Sequence, residues 1–347
     1  MRIVVTGNLG YIGPELGKNI KNYYENCTLL GIDTGLFLQC LTSESRIGDT
    51  YYDNQKFCDI RDITINDLNN CDAVVSLAAV SNDPIGNDFE DATNQINFEA
   101  NCRLANLCSE AGVKKFIFAS SCSMYGAGGE NAKNESDPTA PLTAYAKSKI
   151  GVEKTLNKSL LGSQTKLIFL RFATACGASD RLRLDLVLND FVASALKYKA
   201  ISILSDGSPW RPLIDVNDMA KAIIWAIDSK FENYEPLSIN IGSNDWNFNV
   251  IQLAESVAEY IKGTKIIVNP NAPRDNRSYK VDFSLYKSLS GSFYPSGTLD
   301  QSINRLINII DKMHLPNDGF RNTKYIRLNH IKNLISKRKI NKEFRWI

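Results

Sequence analysis

Tyr145 and Lys149 lie four positions apart in LTAYAKSKI, a stretch with the pattern of an amphipathic helix that begins near residue 143. This spacing places both side chains on one helix face, so a phenol would lie beside an ammonium group. A free phenol has a pKa near ~10, and a neighbouring positive charge lowers that pKa by favouring the phenolate. The pair could therefore accept and return a proton. Such pairs also occur on ordinary helix surfaces, so the interpretation depends on the rest of the chain.

Hydroxyl side chains follow an apolar run in KFIFASSCSMYG, residues 115–126. The run is typical of a strand that is buried on both faces of a sheet, and Ser120, Ser121 and Ser123 come where it ends. A hydroxyl in this place could lie across a substrate from the tyrosine. It would then hydrogen-bond to the reacting oxygen.

A glycine-rich turn, TGNLGYIG at residues 6–13, follows the first strand and precedes a helix. Its glycines allow a tight turn and a close approach of the backbone to a pyrophosphate on the N-terminus of the helix. Asp33 ends the next strand, twenty residues after Gly13. A carboxylate in that position can accept hydrogen bonds from both ribose hydroxyls of adenosine and would repel a 2′-phosphate. The pattern therefore predicts NAD as cofactor rather than NADP.

Further candidates for cofactor binding follow later strands. Asp59 and Ile60 could bracket the adenine, and the small residues after Leu77 would let a dinucleotide pass close to the backbone. The candidate cofactor-binding residues are Gly7, Gly10, Tyr11, Ile12, Gly13, Asp33, Asp59, Ile60, Leu77, Ala78, Ala79, Ser81, Tyr145 and Lys149.

Short β-branched runs alternate with longer helical patterns through the first half of the chain, which predicts a parallel sheet covered by helices. The predicted fold class is α/β, with a Rossmann-type doubly wound parallel sheet and a smaller mixed α/β substrate-binding domain. We expect an NAD-binding domain over residues 1–172 and a substrate-binding domain with a basic C-terminal extension over residues 173–347. Strands between about 200 and 240 are candidates to return to the large sheet, and SPWRP at 208–212 is expected to form a loop.

Together these motifs resemble the extended short-chain dehydrogenase/reductases, especially their NAD-dependent sugar-nucleotide epimerase/dehydratase branch. The resemblance covers nearly the whole chain and rests on TGNLGYIG, Asp33, DIRD at 59–62, LAA at 77–79, SSCSMYG at 120–126, YxxxK at 145–149 and GSPWRPLIDVNDMA at 207–220. It implies a catalytic set of Ser121, Tyr145 and Lys149. Tyr145 would take the proton of a sugar hydroxyl, usually at C4, while the hydride of that carbon passes to NAD. Lys149 would bind the nicotinamide ribose and hold down the pKa of the phenol.

Two departures from the family pattern narrow the reaction. The 4,6-dehydratases of the family carry an Asp-Glu pair where this chain has Cys122 and Ser123, and glucuronate decarboxylases tend to have Glu at the second of these positions. The type that uses a Cys and His pair for 3,5-epimerisation would need a histidine, and the two of this chain, His314 and His330, lie far along it. What remains is C4 epimerisation or simple oxidation and reduction at C4.

On the substrate side, the resemblance implies that Arg211 clamps a nucleotide diphosphate with its guanidinium fork and that Arg274 or Arg277 provides a second clamp. Asn189 matches an asparagine that touches a phosphate or sugar at a helix start, and Thr174 stands where many epimerases have Asn. The candidate substrate-binding residues are Ser121, Ser123, Thr174, Asn189, Arg211, Arg274 and Arg277.

The leading hypothesis is an NAD-dependent nucleotide-sugar epimerase that acts at C4 through a 4-keto intermediate and recycles its cofactor. An alternative is a nucleotide-sugar C4 dehydrogenase or reductase that releases a keto sugar. A nonenzymatic dinucleotide sensor is less favoured because Tyr145 and Lys149 are both present. The resemblance also implies a homodimer built from helices near 94–112 and 143–162, which light scattering would measure directly.

Composition excludes several other classes of protein. A formal net charge of +2 gives no overall attraction to nucleic acid or membranes. The eight cysteines form no CxxC pair and no cluster with histidine, so we expect no metal site and read them as reduced core thiols of a cytoplasmic protein. The N-terminus begins a strand at once, without the pattern of a signal peptide, and no apolar run approaches the ~20 residues of a membrane span.

The end of the chain is basic, with ten Lys or Arg and two Asp or Glu over residues 312–347. A solvated helix and terminus is the preferred interpretation over a nucleic-acid-binding arm. Apolar residues at helical spacing predict that this tail packs back on the body of the protein. They are Tyr325, Leu328, Ile331, Leu334 and Ile335.

Overall fold

The strands and helices alternate along most of the chain in the computed structural model, which describes residues 1–42, 47–127, 129, 131–231, 233–269, 278–316 and 319–347. The strands are β1 Arg2–Thr6, β2 Thr28–Asp33, β3 Asn54–Phe57, β4 Ala73–Ser76, β5 Lys115–Ser121, β6 Lys166–Phe172, β7 Thr174–Cys176, β8 Ala200–Ile203, β9 Trp210–Asp215, β10 Leu237–Ile241, β11 Asn247–Asn249 and β12 Lys265–Val268. The helices are α1 Gly13–Tyr23, α2 Asp83–Asp88, α3 Glu90–Thr93, α4 Ala100–Glu110, α5 Ala144–Ser159, α6 Val187–Tyr198, α7 Val216–Asp228, α8 Val250–Tyr260, α9 Ser284–Ser290, α10 Leu299–Ile310 and α11 Arg327–Ser336. A π-helical segment, Asn94–Glu99, joins α3 to α4.

A parallel sheet forms the centre of the protein. Within the described residues it has seven strands in the order β10-β6-β5-β4-β1-β2-β3, and every pairing is parallel. The order steps outward from β1 in both directions, as in a doubly wound fold. The structure therefore confirms the predicted α/β fold class. Because all strands run the same way, the residues that follow their carboxyl ends meet at one edge of the sheet.

Both faces of the large sheet are covered, as its continuous apolar strands predict. In β1, Ile3 and Val5 point into the core on the side of α1 and α7, whereas Val4 points to the opposite side. There Val4 joins a second core that includes Leu104 of α4 and Val152 of α5. The alternation within one short strand therefore fixes a helix layer on each face.

The remaining elements build a second region at the carboxyl edge of the sheet. Strands β11, β9 and β7 form one small sheet and β12 and β8 form another. Helices α6, α8 and α10 contribute Leu188, Leu253 and Leu306 to a third apolar core. Strand β10, although late in the chain, pairs with β6 at the edge of the large sheet.

The segment SPWRP was expected to be a loop, but β9 begins at Trp210 and includes Arg211 and Pro212. Its first half pairs with β11 on one side, where Pro212 lies opposite Asn247. Its second half, from Leu213 onward, pairs with β7 on the other side. Proline donates no backbone hydrogen bond, and it fits this strand because only one side is paired at that position.

The C-terminal tail folds back onto the body, as predicted. Ile331 and Leu334 of α11 are buried in a small apolar cluster with Val80 and Ile85. This contact brings the last residues of the chain next to the segment that follows β4. Among the helices of the described residues, none is both long enough and apolar enough to span a bilayer.

Candidate active site

A cavity of about 960 Å³ runs along the carboxyl edge of the large sheet. It contains most of the residues that the sequence picked out, which come from the ends of β1, β2, β4, β5 and β6 and from the start of α5. The predicted residues that line it are Gly7, Gly10, Tyr11, Ile12, Asp33, Asp59, Ile60, Leu77, Ala78, Ala79, Ser81, Ser121, Ser123, Tyr145, Lys149, Thr174 and Arg211. Clefts of this size hold small molecules and cofactors.

The glycine turn is held too closely for larger residues. Gly7 has a φ of +75°, and an added Cβ would lie 2.5 Å from the backbone nitrogen of Ala78. Gly13, the first residue of α1, does not line the cavity but packs against the backbone of the turn. A Cβ at Gly13 would lie 1.8 Å from the carbonyl oxygen of Asn8. The turn therefore places bare backbone between β1 and the end of β4, beside the N-terminus of a helix. This is the arrangement that accommodates a pyrophosphate.

The carboxylate of Asp33 lies at the end of β2 and accepts two backbone hydrogen bonds, from the N–H of Leu9 at 3.0 Å and from the N–H of Gly35 at 2.7 Å. Burial raises the pKa of Asp33, and these two hydrogen bonds oppose that rise. A carboxylate has further lone pairs for ribose hydroxyls. Asp59, in contrast, is engaged by Arg61, whose Nη2 lies 2.7 Å from its Oδ2.

Helix α5 carries the predicted catalytic pair into the cavity. It is capped by Thr143, whose hydroxyl accepts a hydrogen bond from the N–H of Ala146 at 3.2 Å. Tyr145, Lys149 and Glu153 then follow at intervals of four residues, which places them along the face that meets the sheet. The spacing of Tyr145 and Lys149 therefore places both side chains on the face of α5 that packs against the sheet, as the sequence predicted.

A buried ionic network fixes this face against the strands. Glu153 pairs with Arg171 of β6, with Nη2 and Oε2 2.7 Å apart, and both side chains are buried. Glu153 also accepts hydrogen bonds from Ser120, the residue before Ser121, and from Ser238 of β10. Because one carboxylate joins α5 to three neighbouring strands, the spacing between the helix and the end of β5 is held by charge-assisted bonds.

Ser121 and Tyr145 both line the cavity, where the hydroxyl of Ser121 lies close enough to influence the phenol. The Ser121 hydroxyl donates a hydrogen bond to the Oγ of Ser123 at 2.9 Å. Burial raises the pKa of Tyr145 to about 12; the Ser121 hydroxyl and the charge of Arg183 oppose that rise, and the charge of Asp83 adds to it.

Lys149 differs from its expected role in one respect. Its Nζ donates to the carbonyl of Ala119 at 2.7 Å and lies 5.6 Å from the centre of the Tyr145 ring. Burial lowers the pKa of Lys149 itself to about 7. The expectation that this amine holds the phenol's pKa below its ordinary value is therefore not met in the structure, because burial of the phenol dominates. A further positive charge in the cavity is needed to favour the phenolate.

The substrate-side predictions divide into three groups. Arg211 lines the cavity and donates to the carbonyl of Trp210 at 2.8 Å. Asn189 does not line the cavity: it is fully buried, and its amide accepts from the N–H of Gly177 and donates to the carbonyl of Arg183. It therefore fixes the loop after β7 rather than facing a ligand. Arg274 and Arg277 lie outside the described residues.

Other polar residues that line the cavity were not singled out from the sequence. Asp83, Arg183 and Tyr279 come from three distant segments: the charges of Asp83 and Arg183 shift the pKa of Tyr145, and Tyr279 is a second phenol whose pKa burial raises. Arg183 also donates to the hydroxyl of Ser81 at 3.0 Å. The one local signal was the alternation RLRLD, in which charged residues interrupt an apolar run. The convergence of the three side chains follows from tertiary packing.

Comparison with known proteins agrees with this geometry. Residues 3–242 match the model of the NAD dependent epimerase/dehydratase family. The chain belongs to this family. The match spans the glycine turn, the serine-bearing strand end and the Tyr145 and Lys149 pair, and it confirms the family resemblance inferred from the motifs.

Relatives and solved structures of this family extend the match beyond residue 242. A UDP-glucose 4-epimerase assigned in Methanocaldococcus jannaschii is 26% identical over 319 residues, which cover 88% of this chain and 97% of the relative. An uncharacterised UDP-glucose epimerase of Bacillus subtilis is 25% identical over 266 residues, covering 74% and 82%. The structure of UDP-glucuronic acid 4-epimerase from Bacillus cereus, in complex with UDP-glucuronic acid and NAD, has a TM-score of 0.77 at 21% identity and covers 90% of this chain and 99% of that one.

The cavity fits the cofactor of the family. The bare backbone at Gly7, the N-terminus of α1 and the carboxylate of Asp33 are arranged in the order that a diphosphate and an adenosine ribose require. Ser121, Tyr145 and Lys149 line the same cavity at the end of β5. Both parts of the cavity, the glycine turn with Asp33 and the residues at the end of β5, therefore agree with membership of the NAD-dependent epimerase/dehydratase family.

Proposed function

We propose that this protein epimerises a nucleoside-diphosphate sugar at C4, with Tyr145 as the base. The observation that carries the proposal is that Ser121, Tyr145 and Lys149 line one cavity with the glycine turn and Asp33. The two curated relatives described above bear the names of UDP-glucose epimerases, and the Bacillus cereus structure is a UDP-glucuronic acid 4-epimerase, which supports this class of substrate.

In the proposed mechanism, Tyr145 removes the hydroxyl proton at C4 and Ser121 hydrogen-bonds to the same oxygen. NAD, when bound, would supply the acceptor for the hydride of C4 and a positive charge that favours the phenolate. Lys149 binds the nicotinamide ribose, and because burial lowers its pKa to about 7, its amine can gain or lose a proton near neutral pH. The 4-keto sugar turns over and regains hydrogen on its other face. Tyr145 then returns the proton to the oxygen, so no net oxidation occurs.

The side chains after Ser121 favour epimerisation over loss of water. Dehydration needs an acid and a base beside the sugar, and Cys122 is fully buried with a thiol pKa that burial raises well above its usual value. Ser123 presents only a hydroxyl, which accepts a hydrogen bond from Ser121. These two residues therefore offer no carboxylate for elimination.

Arg211 and Thr174 are proposed as contacts of the nucleotide sugar because they line the same cavity and come from the small sheet of β7 and β9 rather than from the large sheet. A guanidinium fork suits a diphosphate. We propose the same contact for Arg274 or Arg277 on the basis of the family resemblance alone.

The test uses purified protein without added NAD and a panel of UDP-glucose, UDP-N-acetylglucosamine, UDP-glucuronic acid and dTDP-glucose. We expect NMR to detect the C4 epimer of one of them, with no accumulation of reduced cofactor at 340 nm. Replacing Tyr145 by Phe should lower the rate by about 10²-fold or more, as loss of a general base does. Tyr23→Phe, at an exposed phenol that bonds to Asp228, is the matched control.

Three results would count against the proposal. Stoichiometric formation of reduced cofactor together with a released keto sugar would favour the C4 dehydrogenase instead. Unchanged turnover in Tyr145→Phe would remove the assigned base, whereas no turnover of any nucleotide sugar by the parent protein would reopen the sensor hypothesis.

A further inference from the structure

The C-terminal segment, residues 319–347, lies against the loop that follows Asp33. Its contacts with that loop include the indole N–H of Trp346, which donates to the carbonyl of Thr34 at 2.8 Å, and the Nε2 of His330, which lies 2.8 Å from the carbonyl oxygen of Leu36. Arg345 pairs with Asp62. These bonds tie the end of the chain to both segments predicted to hold adenosine, the one after β2 and the one after β3.

The segment also forms part of the cavity wall. Ile326, Arg327, Ile331 and Phe344 line the same cavity as the glycine turn, next to Leu36 and Phe37 of the loop after β2. The match to the family model ends at residue 242, so these four side chains lie outside the sequence on which the family assignment rests.

Arg327 is the charged member of this wall. It is only 2% exposed, and its guanidinium carbon lies 4.4 Å from the centre of the Phe37 ring. One terminal nitrogen, Nη2, donates to the carbonyl of Arg181 at 3.0 Å. The other, Nη1, is buried and has no hydrogen-bond partner among the described residues.

The neighbouring arginines each form a direct ion pair, but Arg327 does not. Arg181 pairs with Asp49 at 2.6 Å and Arg183 pairs with Asp185 at 3.0 Å. Within the described part of the chain, no ion pair involves Arg327. The carboxylate of Asp185, which pairs with Arg183, acts on Arg327 only from beyond ion-pair distance. A buried guanidinium group without a direct ion pair and with an unused donor is costly, because its lost hydration is only partly replaced.

We propose that Arg327 is an anion-binding residue of the cofactor site and that its ligand is the diphosphate of the dinucleotide. The glycine turn of the same cavity is where a diphosphate rests on a helix N-terminus, and a guanidinium group binds phosphate oxygens with two parallel hydrogen bonds. The stacking on Phe37 holds Arg327 beside the loop that follows Asp33, the residue predicted to bind the adenosine ribose. The proposal does not depend on which sugar reaction the protein catalyses.

The experiment measures binding rather than turnover. Full-length protein, freed of bound nucleotide, is titrated in a calorimeter with ADP-ribose, which carries the diphosphate, with adenosine, which lacks it, and with UDP, which carries the diphosphate of the substrate class. The variants are Arg327→Gln and Arg327→Lys, and Lys337→Gln removes an exposed charge from the same segment as a control.

We expect Arg327→Gln to weaken ADP-ribose binding at least tenfold and to leave the affinities for adenosine and UDP within twofold of the unsubstituted protein. Arg327→Lys should give an intermediate loss, because it keeps the charge without the fork. Lys337→Gln should bind all three ligands normally. Without ligand, Arg327→Gln should melt no lower than the parent protein, since it removes a buried charge that has no direct ion pair.

Three results would overturn the proposal. Unchanged ADP-ribose affinity in Arg327→Gln would exclude a contact with the diphosphate. Equal losses of affinity for ADP-ribose and adenosine would indicate that Arg327 only supports the packing of the cavity wall. A loss confined to UDP would assign the arginine to the substrate's diphosphate instead. If Arg327→Gln does not fold, the same ligand comparison with Arg327→Lys decides.

Discussion

Lys149 lies inside the protein, with its Nζ bonded to the carbonyl of Ala119 and 4.5 Å from the centre of the Phe118 ring. Burial lowers its pKa to about 7, while burial raises the pKa of Tyr145 to about 12. Both shifts favour the uncharged form of the side chain. The surroundings of the proposed catalytic pair therefore favour the uncharged phenol and the uncharged amine, and a charged ligand would change that balance.

The buried amine makes stability depend on pH. The unfolded chain binds a proton at Lys149 up to about pH 10.5, and the folded chain releases it near pH 7. The unfolded chain therefore binds more protons between these values, and the free energy of unfolding rises with pH across that window. One such group contributes a slope of at most about 1.4 kcal/mol per pH unit.

We predict that Lys149→Met flattens this dependence. Urea unfolding of the ligand-free protein at pH 7, 8 and 9 and constant ionic strength should show a smaller rise in the variant than in the parent protein. Lys147→Met, at an exposed position on the same helix, is the control and should keep the parent slope. Equal slopes for Lys149→Met and the parent would mean that the amine is not desolvated in solution.

At the scale of elements, the turn between β1 and α1 is shaped by contacts that only glycine allows. A Cβ at Gly13 would lie 1.8 Å from the carbonyl oxygen of Asn8, a backbone atom that cannot move without opening the turn. The spacing of the glycines in the sequence predicted this turn because the local backbone leaves no room for a side chain at these positions.

Gly13→Ala should therefore reduce NAD affinity at least tenfold, measured by quenching of intrinsic fluorescence. Gly297→Ala is a suitable control because the nearest atom to its added Cβ is a side-chain oxygen of Asp218 at 3.5 Å, an ordinary contact. Normal NAD binding by Gly13→Ala would show that the turn can relax without losing its ligand.

At the scale of the whole molecule, the main apolar core contains residues from both early and late parts of the chain. Ile168 of β6 lies in one cluster with Ile223 of α7, Ile241 of β10 and Phe283. Strand β10 covers the outer side of β6 in the large sheet. A boundary drawn at residue 172 would cut through both the sheet and its core.

We predict that a fragment of residues 1–172 does not fold alone. It would expose the unpaired edge of β6 and the apolar surface that α7 covers, and such surfaces lead to aggregation. Circular dichroism during urea unfolding should show no cooperative transition for the fragment, whereas the full chain should unfold in one step by both circular dichroism and fluorescence. A soluble fragment with a sigmoidal transition would establish residues 1–172 as an independent domain.

The sequence by itself determined the features that depend on local spacing. The turn at residues 6–13, the acid at Asp33, the serines at the end of β5 and the pairing of Tyr145 with Lys149 were all predicted from short patterns. These patterns are readable because a helix repeats every 3.6 residues, parallel strands share a carboxyl edge, and tight turns need glycine.

The tertiary structure alone decided what depends on distant segments. Asn189 is buried and bonds to the loop after β7. Asp83 and Tyr279 line the cavity, and residues of the C-terminal segment form part of its wall. The state of Lys149 was decided in the same way, because the pKa of an amine follows the burial that all its neighbours create together. Burial and contacts of this kind depend on residues from many distant segments, so no short stretch of sequence predicts them.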